Sequence, residues 1–317
     1  MMSSLLLLFV LSFIICMIVS ANNAPVCFGT CVGSGFVKFS FAAGIVFLGI
    51  FLGVMLEGGK LGKTVFGGIF LEADLEATLV ITVTAIIVLA VATFFRLPVP
   101  LSNSLIGATI GIGLTNRLNI NWGFITIILV LWIVTPFFAA FLSAIISAIV
   151  NRVMHSIKNL LTLSFLYSRI SLVLTFYLAY SLGANTLGLI SGIYSPFIPD
   201  AWLNLTMLGL SSFIGVYFLS RGMVKSVGKG IIRLSPLNVF VAQFSGAFTV
   251  HLFTQFRLPV SLVQALTGGI IGIGFAKKVA LMNKRTAFHI LAGAILAPLL
   301  GIMISSLVIF ILHIFCF

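Results

Sequence analysis

The sequence predicts an all-α polytopic membrane protein made of two inverted repeats of about five transmembrane segments each, with discontinuous helices. Three observations predict it. Hydrophobic residues make up 61% of the 317 residues and charged residues 7%, whereas soluble domains contain about 45–50% apolar residues. Part of the chain is duplicated, and polar residues interrupt the apolar runs at matching places in both copies. Because unpaired backbone groups are costly in lipid, such interruptions must face protein or water.

The duplication is strongest in two segments that each contain a Leu-Pro pair. Residues 95–113 read FRLPVPLSNSLIGATIGIG and residues 256–274 read FRLPVSLVQALTGGIIGIG, with 12 of 19 positions identical. In each copy Leu-Pro ends one helix, and a short glycine-rich helix follows. Residues 53–69 also align with residues 215–231. We therefore expect a first repeat over 1–156 and a second over 157–317, together forming one membrane transport domain.

The first half contains five apolar segments, at about 4–20, 38–56, 75–95, 97–115 and 121–149. The first has no basic residues before it, as a secretory signal would, and it has a counterpart at 170–182, so we interpret it as a span. Residues 21–35 interrupt the pattern with Asn22, Asn23 and Pro25. This interruption predicts a discontinuous helix.

The second half repeats this order, with apolar segments at about 160–182, 201–219, 237–255, 256–274 and 287–315. Residues 183–192, GANTLGLISG, correspond to the first polar interruption. An amphipathic piece at 221–233 carries four cations, which are Arg221, Lys225, Lys229 and Arg233.

Charge predicts the orientation. The corresponding segments 57–76 and 221–233 have net charges of −2, from four acids and two lysines, and +4. Cations are retained on the cytoplasmic side, so the two segments should lie on opposite sides of the membrane. We expect both termini outside, in the cell membrane. The same retention explains the net charge of +12 better than nucleic-acid binding, because no solvated basic stretch has interleaved aromatic residues.

Cysteine and histidine residues indicate no metal site. The cysteines lack the spacing of a zinc site and should pack in the interior: Cys16, Cys27, Cys31 and Cys316. The histidines are scattered without a carboxylate partner: His155, His251, His289 and His313. No nucleophile–base pair can be assembled either, so we expect no cofactor and no enzyme.

Two duplicated motifs carry a family resemblance. Residues 21–24, ANNA, and 183–186, GANT, resemble the Gly-Ala-Asn-Asp motif of the inorganic phosphate transporter (PiT) family. The two Leu-Pro segments are similar to that family's Leu-Pro-Val-Ser-Thr-Thr-His/Gln segment, and the match covers nearly the whole chain. The resemblance implies an inverted-repeat permease, forming homodimers, that imports phosphate or in some members sulfate with Na⁺ or H⁺. Asn23 and Thr186 stand where the family has aspartate.

Helix N-termini and neutral donors suit a tetrahedral oxyanion, because each N-terminus carries about half a positive charge and unpaired N–H groups. We expect the polar residues of the four interruptions to converge on one cavity. The predicted substrate-binding residues are Asn22, Asn23, Ser102, Asn103, Ser104, Asn185, Thr186, Ser261 and Gln264. For each of them a helix cap or an interhelical hydrogen bond is the alternative.

The predicted function is a secondary transporter of inorganic phosphate that works by alternating access in the bilayer. A sulfate permease is the alternative, because sulfate has no proton to donate and the two aspartates are absent. A passive anion channel or a non-transporting scaffold is a further alternative, since no acidic residue is recognisable deep within a span.

Overall fold

A computed structural model describes residues 2–33, 35, 37–69, 75–116, 120–154, 160–198, 200–230, 235–278 and 284–316. Within these ranges the chain is helical and has no sheet. Eight of the described helices are long and apolar enough to cross a membrane, and two shorter apolar helices accompany them. The predicted all-α membrane fold is confirmed.

The helices follow the predicted order closely. They are α1 (Met2–Gly33), α2 (Phe39–Ile69), α3 (Leu75–Phe94), α4 (Leu101–Asn116), α5 (Trp122–Met154), α6 (Leu160–Leu182), α7 (Gly188–Tyr194), α8 (Ala201–Ile214), α9 (Arg221–Gly230), α10 (Pro236–Gln255), α11 (Leu262–Lys277) and α12 (Lys284–Cys316). Two π-helical segments, Gly183–Leu187 and Gly215–Leu219, join α6 to α7 and extend α8.

Both Leu-Pro segments break a helix, as predicted. Arg96 and Arg257 adopt left-handed φ angles of 57° and 60°. At each break the following N–H reaches back over the last turn, from Leu97 to the Ala92 carbonyl (2.8 Å) and from Leu258 to the Phe253 carbonyl (2.9 Å). This is the Schellman ending of a helix, in which the left-handed residue is usually glycine.

The other two interruptions are not breaks, contrary to the prediction. Helix α1 runs without a gap from Met2 to Gly33 and contains Pro25. Residues 183–187 form a π-helical turn that leads directly into α7. Proline removes one N–H donor from a helix, and the packing of the buried residues around it outweighs that loss. Of the four interruptions, the two that create a new helix N-terminus with free N–H groups are therefore those before α4 and α11.

The two short helices pack through glycine against a proline of a long helix. A β-carbon at Gly107 of α4 would lie 2.2 Å from the Pro298 carbonyl oxygen of α12, and one at Gly268 of α11 would lie 2.1 Å from that of Pro136 in α5. Helix α4 of the first half thus packs on α12 of the second, and α11 packs on α5 of the first. Each half of the chain therefore packs one of its short helices against a long helix of the other half.

The acidic segment 57–76 is partly helical. Helix α2 continues to Ile69, so Glu57 lies within a helix rather than in a connecting loop. Glu72 and Asp74 lie outside the residues whose side chains are described. The amphipathic piece forms α9, where the Arg221 guanidinium lies 5.1 Å from the centre of the Phe39 ring.

Candidate functional site

Asn22 of α1 holds the first Leu-Pro segment in place. Its Nδ2 donates to the Thr93 hydroxyl (2.9 Å) and to the Leu97 carbonyl (3.0 Å). Its Oδ1 accepts from the Val99 N–H at 2.9 Å. All three bonds fix backbone or helix-end groups that the Leu-Pro break would otherwise leave unpaired. We call this arrangement the first latch.

Asn185 in the π-helical turn makes the same three bonds to the second segment. Its Nδ2 donates to the Thr254 hydroxyl (2.8 Å) and to the Leu258 carbonyl (3.2 Å), and its Oδ1 accepts from the Val260 N–H (3.2 Å). This is the second latch. Both asparagines are at most 1% exposed, so each amide acts first as an interhelical connector.

A cavity lies where the two short helices begin. It is lined by residues from all four interruptions: Asn23, Pro100, Leu101, Ser102, Asn185, Thr186, Leu189, Val260, Ser261, Leu262 and Val263. The predicted convergence therefore holds for the side chains, although two of the four stretches stay helical. None of the described residues that line the cavity is acidic.

The helix N-termini supply donors to this cavity. The first N–H groups of an α-helix have no partner within the helix. Before α11, the Ser261 hydroxyl accepts from the Gln264 N–H at 3.1 Å and caps the helix. The equivalent position before α4 is Pro100, which has no hydroxyl to offer. The two N-termini thus differ in one capping bond.

Asn23 is the polar side chain most clearly available to a ligand. It is 3% exposed, it lines the cavity, and its Oδ1 is buried without a hydrogen-bond partner among the described residues. A buried amide without a partner costs about 1–3 kcal/mol. A bound ligand would supply the missing partner.

The predicted residues divide into two groups. Five line the cavity: Asn23, Ser102, Asn185, Thr186 and Ser261. The other four are buried outside its lining: Asn22, Asn103, Ser104 and Gln264. Asn103 donates to the Ala294 carbonyl of α12 (2.8 Å), which joins the start of α4 to the second half. The Ser104 hydroxyl and the Gln264 Oε1 have no partner within the described part of the chain.

A cluster that the sequence did not reveal lies at the end of α10. Glu57 of α2 lies 3.4 Å from the His251 Nε2 and 3.4 Å from the Lys60 ammonium, and it accepts from the Gln255 amide at 2.8 Å. The expectation that no histidine has a carboxylate partner is wrong for His251. The other three histidine side chains lie outside the described residues.

The contacts among these residues could not be predicted from a single sequence. His251 and Gln255 lie four residues apart on one face of α10, but Glu57 is 198 residues from Gln255. Only the packing of α2 against α10 brings them together.

The three cysteines with described side chains are buried thiols: Cys16, Cys27 and Cys31. This agrees with the expected packing role. Cys316 lies outside the described side chains.

With this geometry in place, the comparisons with known proteins identify the family. A family model described as the phosphate transporter family matches residues 19–176 and again residues 162–305. The chain belongs to the phosphate transporter family. The predicted resemblance is confirmed, and membership of a transporter family confirms that the chain is not an enzyme.

Relatives within the phosphate transporter family are named for two anions. The sulfate permease CysP of Bacillus subtilis (strain 168) is 28% identical over 301 residues, covering 92% of this chain and 83% of that protein. A relative from Methanocaldococcus jannaschii, provisionally named a phosphate permease, is 25% identical over 305 residues, covering 94% and 95%.

A solved structure described as the sodium-dependent phosphate transporter has the same fold. It matches with a TM-score of 0.86 and 21% sequence identity, over 99% of this chain and 100% of that chain. At this identity the likeness establishes the fold.

Proposed function

We propose that this chain is a permease of inorganic phosphate that binds the anion between the N-termini of α4 and α11, near the bilayer midplane. One observation carries the proposal: the cavity is lined by the starts of both short helices and by neutral polar side chains. Each N-terminus contributes about half a positive charge, and two that meet in a protein interior attract an anion strongly. The family to which the chain belongs supports the same activity.

Neutral side chains complete the proposed binding site. Ser102, Thr186 and Ser261 bring hydroxyl donors to the cavity, and the Asn23 amide has an oxygen without a protein partner. We assign the anion to these four residues and to the helix N–H groups. Asn22 and Asn185 act through the latches, while Asn103, Ser104 and Gln264 support the two helix starts.

We propose that the permease works by alternating access between its two halves. We propose that repeats 1–156 and 157–317 are inverted in a cell membrane, with both termini outside. The shared hydrogen bonds of the two latches support the duplication. Labelling of Asp74→Cys and Lys229→Cys with an impermeant reagent tests the inversion, because the two positions should react from opposite sides of the membrane.

Sulfate is the second candidate, and the absence of acidic residues from the described cavity lining favours it. Phosphate near pH 7 carries O–H groups that need an acceptor, whereas sulfate carries none. The Asn23 Oδ1 can serve as that acceptor, which keeps phosphate first. The named function of the Bacillus subtilis relative agrees with the second candidate.

Uptake into proteoliposomes decides between the anions. Labelled phosphate at pH 7 should enter, and unlabelled sulfate should compete poorly. Inhibition by sulfate at a lower concentration than by unlabelled phosphate would reverse the order, and Asn23→Asp should then shift preference toward phosphate. Flux at channel-like rates without any gradient would indicate a passive channel instead.

The coupling ion and the oligomer belong to the same proposal. A gradient of Na⁺ or H⁺ is expected to drive uptake, since the structural neighbour is named for sodium dependence and the family resemblance includes both ions. The resemblance also implies a homodimer in the bilayer. Uptake measured with each gradient alone identifies the ion, and cross-linking in membranes identifies the dimer.

A further inference from the structure

Four exposed cations lie close to the ends of three membrane spans and form what we call the basic surface: Lys38, Arg96, Arg221 and Lys225. Lys38 directly precedes the span that begins at Phe39. Arg96 follows the span that ends at Phe94, and Arg221 follows the span that ends at Leu219, each by two residues. Cations so close to a span end lie at the depth of the lipid headgroups.

Contacts between helices bring these cations together. A β-carbon at Gly222 would lie 3.6 Å from the Arg96 Nε, so the Arg96 side chain reaches the start of α9 beside Arg221. The Arg221 guanidinium lies 5.1 Å from the centre of the Phe39 ring, and Phe39 follows Lys38 in the chain. The start of α2, the break after α3 and the start of α9 therefore place their cations on one surface.

Helix α9 turns its apolar side toward the protein. Met223 and Val224 are 1% and 3% exposed, and a β-carbon at Gly228 would lie 2.8 Å from a carbonyl oxygen of α1. Arg221 and Lys225 are exposed and lie about one turn apart on the opposite side. Because α1 covers the apolar side of α9, its basic side remains open.

Within the described part of the chain, no acid forms an ion pair with the basic surface. The three acids with described side chains lie elsewhere: Glu57, Glu76 and Asp200. Glu76 begins α3, whose far end leads to Arg96, and Asp200 caps the start of α8 by accepting a backbone N–H at 3.0 Å. Glu57 follows Phe39 by about five helical turns. Like charges held together repel one another, and an anion from outside the protein would relieve that repulsion.

Exposed phenylalanine rings accompany the cations. Four phenylalanine residues within three positions of a cation of the basic surface are more than half exposed: Phe41, Phe94, Phe95 and Phe218. Cations combined with apolar rings are typical of surfaces that bind lipid at the membrane interface. A phospholipid offers an anionic headgroup to the cations and acyl chains to the rings, whereas a free phosphate ion offers nothing to the rings.

The aligned positions of the other copy do not form such a surface. Arg221 corresponds to Gly59, and Arg96 corresponds to Arg257. Just before Arg257, at the end of α10, lies the Glu57 cluster: Glu57, Lys60, His251 and Gln255. An acid therefore accompanies the cations near the second break. Because the repeated fold forms without a second basic surface, the four cations are not needed for the fold itself.

We propose that the basic surface binds the headgroup of an anionic phospholipid. Guanidinium and ammonium groups donate charge-assisted hydrogen bonds to phosphate oxygens. Each cation close to an anionic lipid surface strengthens binding by about fivefold. A bound lipid joins the end of α3 to α2 and α9, so it should stabilise the folded protein. The inference is independent of which anion the chain transports.

Thermal unfolding of the full-length protein in detergent tests the proposal. Phosphatidylglycerol, which carries a net negative charge, should raise the thermal midpoint until the site is saturated. Phosphatidylcholine, whose headgroup is zwitterionic, should raise it less at the same concentration. Inorganic phosphate should not change the concentration of phosphatidylglycerol that gives half of the shift, because the basic surface is separate from the cavity of the transported anion.

Single substitutions locate the site. Arg96→Gln and Arg221→Gln should each raise the concentration of phosphatidylglycerol at half shift by about fivefold. Arg221→Lys keeps the charge and should restore most of the affinity. Arg257→Gln is the matched control, because it removes one cation from the equivalent left-handed position of the other Leu-Pro segment. Its half-shift concentration should equal that of the wild type.

Three results would overturn the inference. Equal midpoint shifts of the wild-type protein with the two lipids would show that net headgroup charge is not recognised. Equal loss of affinity in Arg96→Gln and Arg257→Gln would make the effect one of total charge. Displacement of phosphatidylglycerol by inorganic phosphate would assign the basic surface to the transported anion. If a glutamine variant fails to insert, the comparison of the two lipids on the wild-type protein still decides.

Discussion

The two Leu-Pro segments are held by the same bonds but surrounded by different chemistry. Asn22 and Asn185 each bind a threonine hydroxyl, a carbonyl and an N–H at equivalent positions. Beside the second segment lies the Glu57 cluster, whereas the residues that align with Glu57, His251 and Gln255 in the other copy are Leu219, Ala90 and Phe94. The duplicated bonds are those that the backbone requires, whereas the ion pairs of Glu57 occur once. The difference indicates that the asparagine bonds belong to the duplicated fold, whereas the ion pairs of Glu57 are particular to one copy.

Removal of either latch should have the largest effect. Asn22→Leu or Asn185→Leu leaves a buried carbonyl and a buried N–H unpaired, at a cost of about 1–3 kcal/mol each, and frees the helix starts that line the cavity. Uptake of labelled phosphate should fall to background in both variants.

The control for the latches is Asn121→Leu. That side chain caps α5 by accepting from the Phe124 N–H at 3.1 Å, so its loss should leave uptake close to that of the wild type. If one latch variant transports normally, the bonds of Asn22 and Asn185 are not equally required for transport, and the two Leu-Pro segments are not equivalent.

The glycine contacts should be the next most sensitive. Gly107→Ala and Gly268→Ala place a β-carbon within 2.2 Å of the Pro298 or 2.1 Å of the Pro136 carbonyl oxygen, and overpacking of this kind costs about 1–3 kcal/mol. Both variants should lower the thermal midpoint of the purified protein by similar amounts. Gly59→Ala is the control, since a β-carbon there meets nothing within 4 Å.

A smaller effect should separate the two helix starts. Ser261→Ala removes a cap and a hydroxyl donor, worth about 1 kcal/mol, so KM for phosphate should rise by roughly fivefold. Pro100→Ala should change KM less, because Pro100 contributes no donor. Equal changes in the two variants would show that the cap difference has no effect on binding.

The smallest expected effect concerns the two left-handed arginines. Arg96→Gly and Arg257→Gly should each raise the free energy of unfolding by about 1 kcal/mol, because glycine adopts positive φ without strain. Arg96→Ala removes the same charge and keeps the strain, so it should not stabilise the protein. A stabilised Arg96→Ala variant would assign the gain to charge instead of backbone conformation.

Prediction from sequence succeeded where a local rule decides the structure. The breaks at 95–100 and 256–261 follow from Leu-Pro, and the short helices follow from the apolar runs after them. It failed at Pro25, where a proline inside a helix is outweighed by packing on both sides. Intrinsic helix propensity is a weak predictor of where a helix breaks once that helix is buried among others.

The candidate site shows the same limit. Asn23, Ser102, Thr186 and Ser261 were found because they are polar residues within apolar stretches, and the structure places them around one cavity. The hydrogen-bond partners of Asn22 and Asn185 could not be predicted, since they are mostly backbone groups more than 70 residues away. The pairing of Glu57 with His251 required the packing of α2 on α10, which no local pattern encodes.

The packing of α4 on α12 has a consequence for biogenesis. Asn103 at the start of α4 is bonded to Ala294, 191 residues later. At about 5–20 residues per second, the ribosome delivers that partner roughly 10–40 seconds after α4 itself. During this interval the Asn103 amide at the start of α4 lacks its partner in α12. We therefore expect α4 to reach its final position only after α12 has been made.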